Sequence, residues 1–147
     1  CPGAHLLRTM ALTKAEKSHG IIHTASATCA GIGAGLAQAP GSDILLITPV
    51  QVGMIVALAL VHGRKITEGT ATAIRVTFPA GMFGRVASQV LVGWIPGAGN
   101  AINAATAATL TEAIGWSADK FFENLGDEPL SDDELKARAE RRKREQG

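Results

Sequence analysis

Between Ser18 and Ala118 the chain carries seven charged side chains: Asp43, Arg64, Lys65, Glu68, Arg75, Arg85 and Glu112. That is about 7% of the stretch, where soluble domains average about 25%. Sixteen charges crowd into Asp119 to Gly147 and four more into the first 17 residues, so the net charge of +1 conceals a very uneven distribution. A body this apolar does not stay solvated as a disordered chain. It is no nucleic-acid binder either, since no basic stripe is interleaved with aromatics and tyrosine is absent.

At 147 residues the chain is long enough for one domain. Three parts follow from the charge pattern: an N-terminal segment at 1–17, a helical body at 18–125 and a charged tail helix at 126–147. Two cysteines, Cys1 and Cys29, set no disulfide framework, and Cys29 reads as a small apolar filler in an alanine and glycine run. No secretory signal is legible at the front. The opening Cys in place of Met points to a piece of a longer protein.

Uncharged stretches run over 18–42, 44–63 and 86–111. Each reaches the roughly 20 residues that a bilayer core demands, but only Ile44 to Val61 approaches the required hydrophobicity, and it still contains Thr48, Pro49 and Gln51. Turn chemistry divides the body. Pro40-Gly41-Ser42-Asp43 is a tight break with Ser42 or Asp43 placed to cap the next helix. Gly63 with Arg64 and Lys65 ends that helix, Thr67-Glu68 starts a third, and Pro79 interrupts or kinks it. Pro96-Gly97-Ala98-Gly99-Asn100 is the second tight break, and a fourth helix is expected over Ala101 to Glu123. The expected fold is all-α: two packed helical hairpins, about four main helices with Gly/Ala-rich interfaces, and a charged C-terminal helix.

The glycines are expected to allow close helix approach. Gly31 and Gly35 form a Gly-x-x-x-Gly pair, and Gly81 with Gly84 makes a second bare patch. Without a contact, each helical glycine costs close to 1 kcal/mol relative to alanine. Gly31-Ile32-Gly33-Ala34-Gly35 is not a dinucleotide loop, because the third glycine is out of register and no strand precedes it.

Ionised groups in such a body need water or a partner. Asp43 suits a helix start, where the dipole and free N–H groups favour an acid. Arg85 and Glu112 flank the second break at about 15 Å and about 18 Å along their helices, so an antiparallel hairpin brings them to similar depth, where they either pair or reach solvent separately. Asn100 is placed to cap the fourth helix, and Asn103 either caps or bonds across an interface. His19 and His23 share a helical face, as a metal site requires. No further ligand is in sequence reach, with Glu16 at the helix start and Cys29 pointing elsewhere, so they read as half-exposed histidines and no metal or cofactor is expected. Ser26, Thr28 and Cys29 lie near His23 without an orienting acid, so no catalytic group is assigned.

Ser131-Asp132-Asp133-Glu134 is a capping box for the tail helix, which ends in Arg141-Arg142-Lys143-Arg144. Beyond Glu134 only Leu135, Ala137 and Ala139 are apolar, so this helix is expected to be solvated and partly frayed, or to touch anionic lipid through its cations.

Four motifs in order carry a resemblance: Asp43-Ile-Leu-Leu-Ile-Thr48-Pro49-Val-Gln51, Gly81-Met-Phe-Gly84-Arg85, Ile95-Pro96-Gly97-Ala-Gly99-Asn100-Ala-Ile-Asn103, and Thr111-Glu112-Ala-Ile-Gly115. Together they resemble an uncharacterised bacterial helical domain family that stands alone or follows small GTP-binding domains and is commonly taken to be membrane-associated. The resemblance covers about residues 20–123. It implies a fold and an association with GTPases and membranes, and no chemistry. The chain has no Gly-x-x-x-x-Gly-Lys-Ser/Thr loop, so a GTPase partner would act in trans or have been removed N-terminally.

The function expected is therefore a non-enzymatic membrane-associated module acting in membrane association and self-assembly. Its site would lie on the cytoplasmic face of a bacterial inner membrane, because Lys14, Lys17, Arg64 and Lys65 mark one side. The alternative is a cytoplasmic homo-oligomer that buries the uncharged faces between subunits.

Overall fold

In the computed structural model, which describes residues 12–35, 42–78 and 99–146, every regular element is a helix. In chain order these are α1 (Lys14–Gly35), α2 (Ser42–Val61), α3 (Glu68–Thr77), α4 (Gly99–Leu125) and α5 (Asp132–Gln146). The four main helices and the charged C-terminal helix match the expected class. The first begins earlier than expected because Thr13-Lys14-Ala15-Glu16 is itself a capping box. The Thr13 N–H and hydroxyl donate to Glu16 Oε2 at 2.7 and 2.9 Å, and the Glu16 N–H donates back to Thr13 Oγ1 at 3.2 Å. Those donors hold the Glu16 carboxyl below its ordinary range.

The other termini follow the sequence signals. The Gly63 N–H donates to Leu60 O and the Arg64 N–H to Ala59 O, with Gly63 at φ +73°. This two-bond closure needs the left-handed conformation that glycine adopts without penalty. Thr67 caps α3 by accepting from the Thr70 N–H. Gly126, at φ +57°, ends α4. There the Arg64 guanidinium donates to Gly126 O at 2.8 Å, setting a cation on the negative end of α4.

Packing is densest where α1 runs along α4, and α2 lies against both. α3 then joins α2 to α5. The principal core gathers Ile22, Met54, Ile55, Leu58, Ile74, Ile114 and Phe122, and a smaller cluster holds Cys29, Ile47 and Ala107. Close approach depends on Gly115 in α4. A Cβ there would stand 2.9 Å from Ile22 Cγ1 and 3.0 Å from Met54 Sδ. Gly31 and Gly35 meet nothing among the described residues, so the Gly-x-x-x-Gly pair is not what seats α1 on its described neighbours.

The tail helix departs from expectation. Leu135 and Ala139 are each 1% exposed and belong to the principal core, so α5 is docked rather than merely solvated. Two apolar residues four apart make a stripe narrow enough to miss in so charged a sequence. Polar contacts fix the orientation: Thr67 and Thr70 hydroxyls donate to Asp132 Oδ2 at 2.7 and 2.6 Å, and Arg138 pairs with Glu128 at 2.7 Å. The expected box is present, with the Ser131 N–H and hydroxyl donating to Glu134 Oε2 at 2.8 Å each.

Candidate functional site

The candidate surface is the outer side of α2. Leu45, Leu46 and Leu60 are 76%, 52% and 53% exposed, and Pro49 and Gly53 are exposed between them. The reason lies in sequence: with apolar residues on every side, α2 cannot bury them all against α1, α3 and α4, so a helix apolar all round keeps one apolar face outward. Two open grooves flank this ridge. One, of about 620 Å³, lies toward α3 and is lined by Leu45, Thr48, Pro49, Val52, Val56 and Ile66. The other, of about 610 Å³, lies toward α1 and includes Ile21, Thr24, Val50, Gly53 and Ala57.

Behind the ridge a buried polar chain crosses the bundle. Gln51, fully buried, accepts from Arg75 Nε at 2.6 Å and donates through Nε2 to Thr111 Oγ1 at 2.9 Å. The guanidinium is half-buried, and desolvation pulls it below its ordinary value while leaving it charged. Cys29 lies nearby at 0% exposure. Burial pushes its thiol up, opposed by Thr111 and by the Arg75 charge. A raised, buried thiol is a packing group rather than a nucleophile.

At the charged end of the bundle Asp119 joins three elements. Ser18 Oγ donates to Asp119 Oδ1 at 2.6 Å, and His62 Nε2 bonds to the same oxygen at 2.8 Å. The hydroxyl proton goes to the carboxylate, not to the imidazole, so these three residues form a clamp between α1, α4 and the end of α2. Further along, His23 Nδ1 meets Glu112 Oε1 at 2.9 Å, His23 Nε2 lies 3.3 Å from His19 Nε2, and Trp116 stands edge-on to both rings.

The sequence-assigned residues distribute as follows. Thr48 and Pro49 line the α3-side groove, and Gln51 points inward to the polar chain. Glu112 is engaged by His23. Asp43 lies in the first turn of α2, Gly99 opens α4, and Asn100 and Asn103 lie in the first turns of α4, where side chains are outside the described set. Gly81, Gly84, Arg85, Pro96 and Gly97 fall outside the described residues, and with them the Arg85 to Glu112 pairing. His19 and His23 lie inside α1 past its first turn, and the carboxylate near them comes from α4, beyond any local sequence signal. The Ser26 hydroxyl donates to Ala108 O and the Thr28 hydroxyl to Thr24 O, which occupies both in helix contacts.

Among the described residues no helix is long and apolar enough to cross a membrane, so the spanning reading of 44–61 gains no support; α2 itself runs unbroken through Thr48, Pro49 and Gln51. Nor does any group of three or more His, Cys, Asp or Glu side chains among them form a set that could hold a metal ion. Comparison with family models, curated proteins and solved structures finds no match to this chain.

Proposed function

We propose that the chain is a non-enzymatic helical module that associates with membrane lipid, and with copies of itself, through the outer face of α2. The observation that supports this reading is the run of exposed leucines at Leu45, Leu46 and Leu60, flanked by two apolar grooves on a helix whose one charged residue, Asp43, lies in its first turn. At about 1.5 Å per residue the leucines extend over about 22 Å of helix, enough for a helix to lie on a bilayer surface or against a second helix. Lys14, Lys17, Arg64 and Lys65 gather at the opposite end from Leu45, because α1 and α2 run antiparallel, with Lys14 beside His62 and Lys17 beside Val61, which suits attraction to anionic headgroups. The GTP-binding partner implied by the motif resemblance belongs to the same proposal, acting in trans or ahead of this sequence.

A second reading rests on the same exposed leucines: a homo-oligomer in which two α2 faces cover each other. Membrane fractionation with a carbonate or high-salt wash separates the two. Retention through the high-salt wash supports lipid contact. Release as a defined large soluble particle supports the homo-oligomer and overturns the membrane reading.

A further inference from the structure

We propose that His19 and His23 form a divalent transition-metal site of the zinc and nickel class, with Glu112 as the positioning carboxylate behind it. The two Nε2 atoms lie 3.3 Å apart on successive turns of α1. Two imidazole nitrogens each about 2.05 Å from one ion and 3.3 Å from each other subtend about 107° at the metal, close to the tetrahedral angle, and the rings, whose centroids are 4.2 Å apart, spread to about 5 Å to aim both lone pairs at it.

The tautomer is set from α4. Glu112 Oε1 lies 2.9 Å from His23 Nδ1, so the carboxylate holds the proton on Nδ1 and leaves the Nε2 lone pair facing His19. A carboxylate behind a ligating histidine orients the ring and raises its basicity, and loss of such a group costs about 10–100-fold in metal affinity. Trp116 packs edge-on against the two rings, with centroid distances of 5.2 and 6.2 Å, which limits their swing. The side chain of His23 is 47% exposed, so an ion enters directly from solvent. Two protein ligands leave open positions for water. The site is therefore exchangeable rather than structural, and its ligand is a borderline cation that favours imidazole rather than magnesium or calcium.

The test uses the full chain with Cys1→Ser and His5→Gln, which removes competing ligands near the start, and Trp94→Phe, which leaves Trp116 as the fluorescent reporter. Titration with Ni²⁺ alone, read by Trp116 quenching and by calorimetry, is expected to show one ion bound per chain. Zn²⁺ is expected to compete for it. His19→Gln and His23→Gln should each abolish the one-site isotherm, and Glu112→Gln should weaken it about 10–100-fold while helical circular dichroism is unchanged. Absence of binding by the folded protein overturns the site. Binding undiminished in both histidine variants overturns it as well, and wild-type affinity in Glu112→Gln overturns the carboxylate's role.

Discussion

Replacing Gln51 with methionine probes the bundle where a buried polar chain crosses an apolar interior. Gln51 is 0% exposed, accepts from Arg75 Nε at 2.6 Å and donates to Thr111 Oγ1 at 2.9 Å. Methionine has similar length and an adaptable thioether, so it leaves little cavity and the cost falls on the hydrogen bonds. A bond from a charged donor contributes about 1.5–3 kcal/mol and a neutral one about 0.5–1.5 kcal/mol. Arg75 is half-buried and recovers part of its hydration, which sets the expected loss at the lower end, about 2–3 kcal/mol, measured as a fall in the urea midpoint at unchanged slope. The double variant Gln51→Met with Arg75→Met removes the stranded guanidinium as well. It should therefore be less unstable than the sum of the single variants by at least about 1 kcal/mol. A Gln51→Met protein within about 0.5 kcal/mol of wild type, or a strictly additive double variant, would refute the reasoning.

Gly115→Ala should destabilise by about 1–2 kcal/mol because its Cβ collides with Ile22 and Met54, whereas Gly31→Ala, which meets nothing among the described residues, should be neutral or stabilising by up to about 1 kcal/mol; thermal unfolding of the pair checks this. The Thr70 and Thr67 hydroxyls hold the Asp132 carboxyl below its ordinary value, so its contribution is present above that value, near 3.8, and is lost as pH falls through the lowered folded value. Urea midpoints measured downward from pH 5 should thus fall less steeply in Asp132→Asn than in wild type. In a Cys1→Ser background Cys29 should react with a thiol reagent far more slowly than a free cysteine at pH 8, and unfolding in urea should restore the ordinary rate; fast native labelling would contradict its burial.

Much of the architecture was legible because it rests on local chemistry. Gly63 needed a positive φ, Thr67 capped α3, and Ser131 with Glu134 capped α5, each where residue type alone implies it. The Thr13 and Glu16 box carried the same signal at the start of α1 and was obscured by the charged start of the chain. What sequence could not convey was which distant side chains meet. Glu112 is 89 residues from His23, and Asp119 reaches both Ser18 and His62 across the bundle. The docking of α5 was hidden for another reason: Leu135 and Ala139 are only two apolar residues among many charges, too few to produce a visible amphipathic pattern. Gly31 and Gly35 matched a packing motif by spacing, while the glycine that permits close approach, Gly115, has no second glycine three or four residues away.

The account turns on the outer face of α2, and vesicle flotation tests it most directly. The wild-type chain and a Leu46→Lys, Leu60→Lys double variant, both exposed positions that leave the core untouched, are floated with vesicles containing anionic lipid and sized in parallel without lipid. The prediction is that wild type rises with the vesicles and self-associates without them, while the variant stays at the bottom of the gradient as a monomer with unchanged helical circular dichroism. A variant that floats and assembles like wild type, or a wild-type chain that is monomeric and ignores the vesicles, would contradict it.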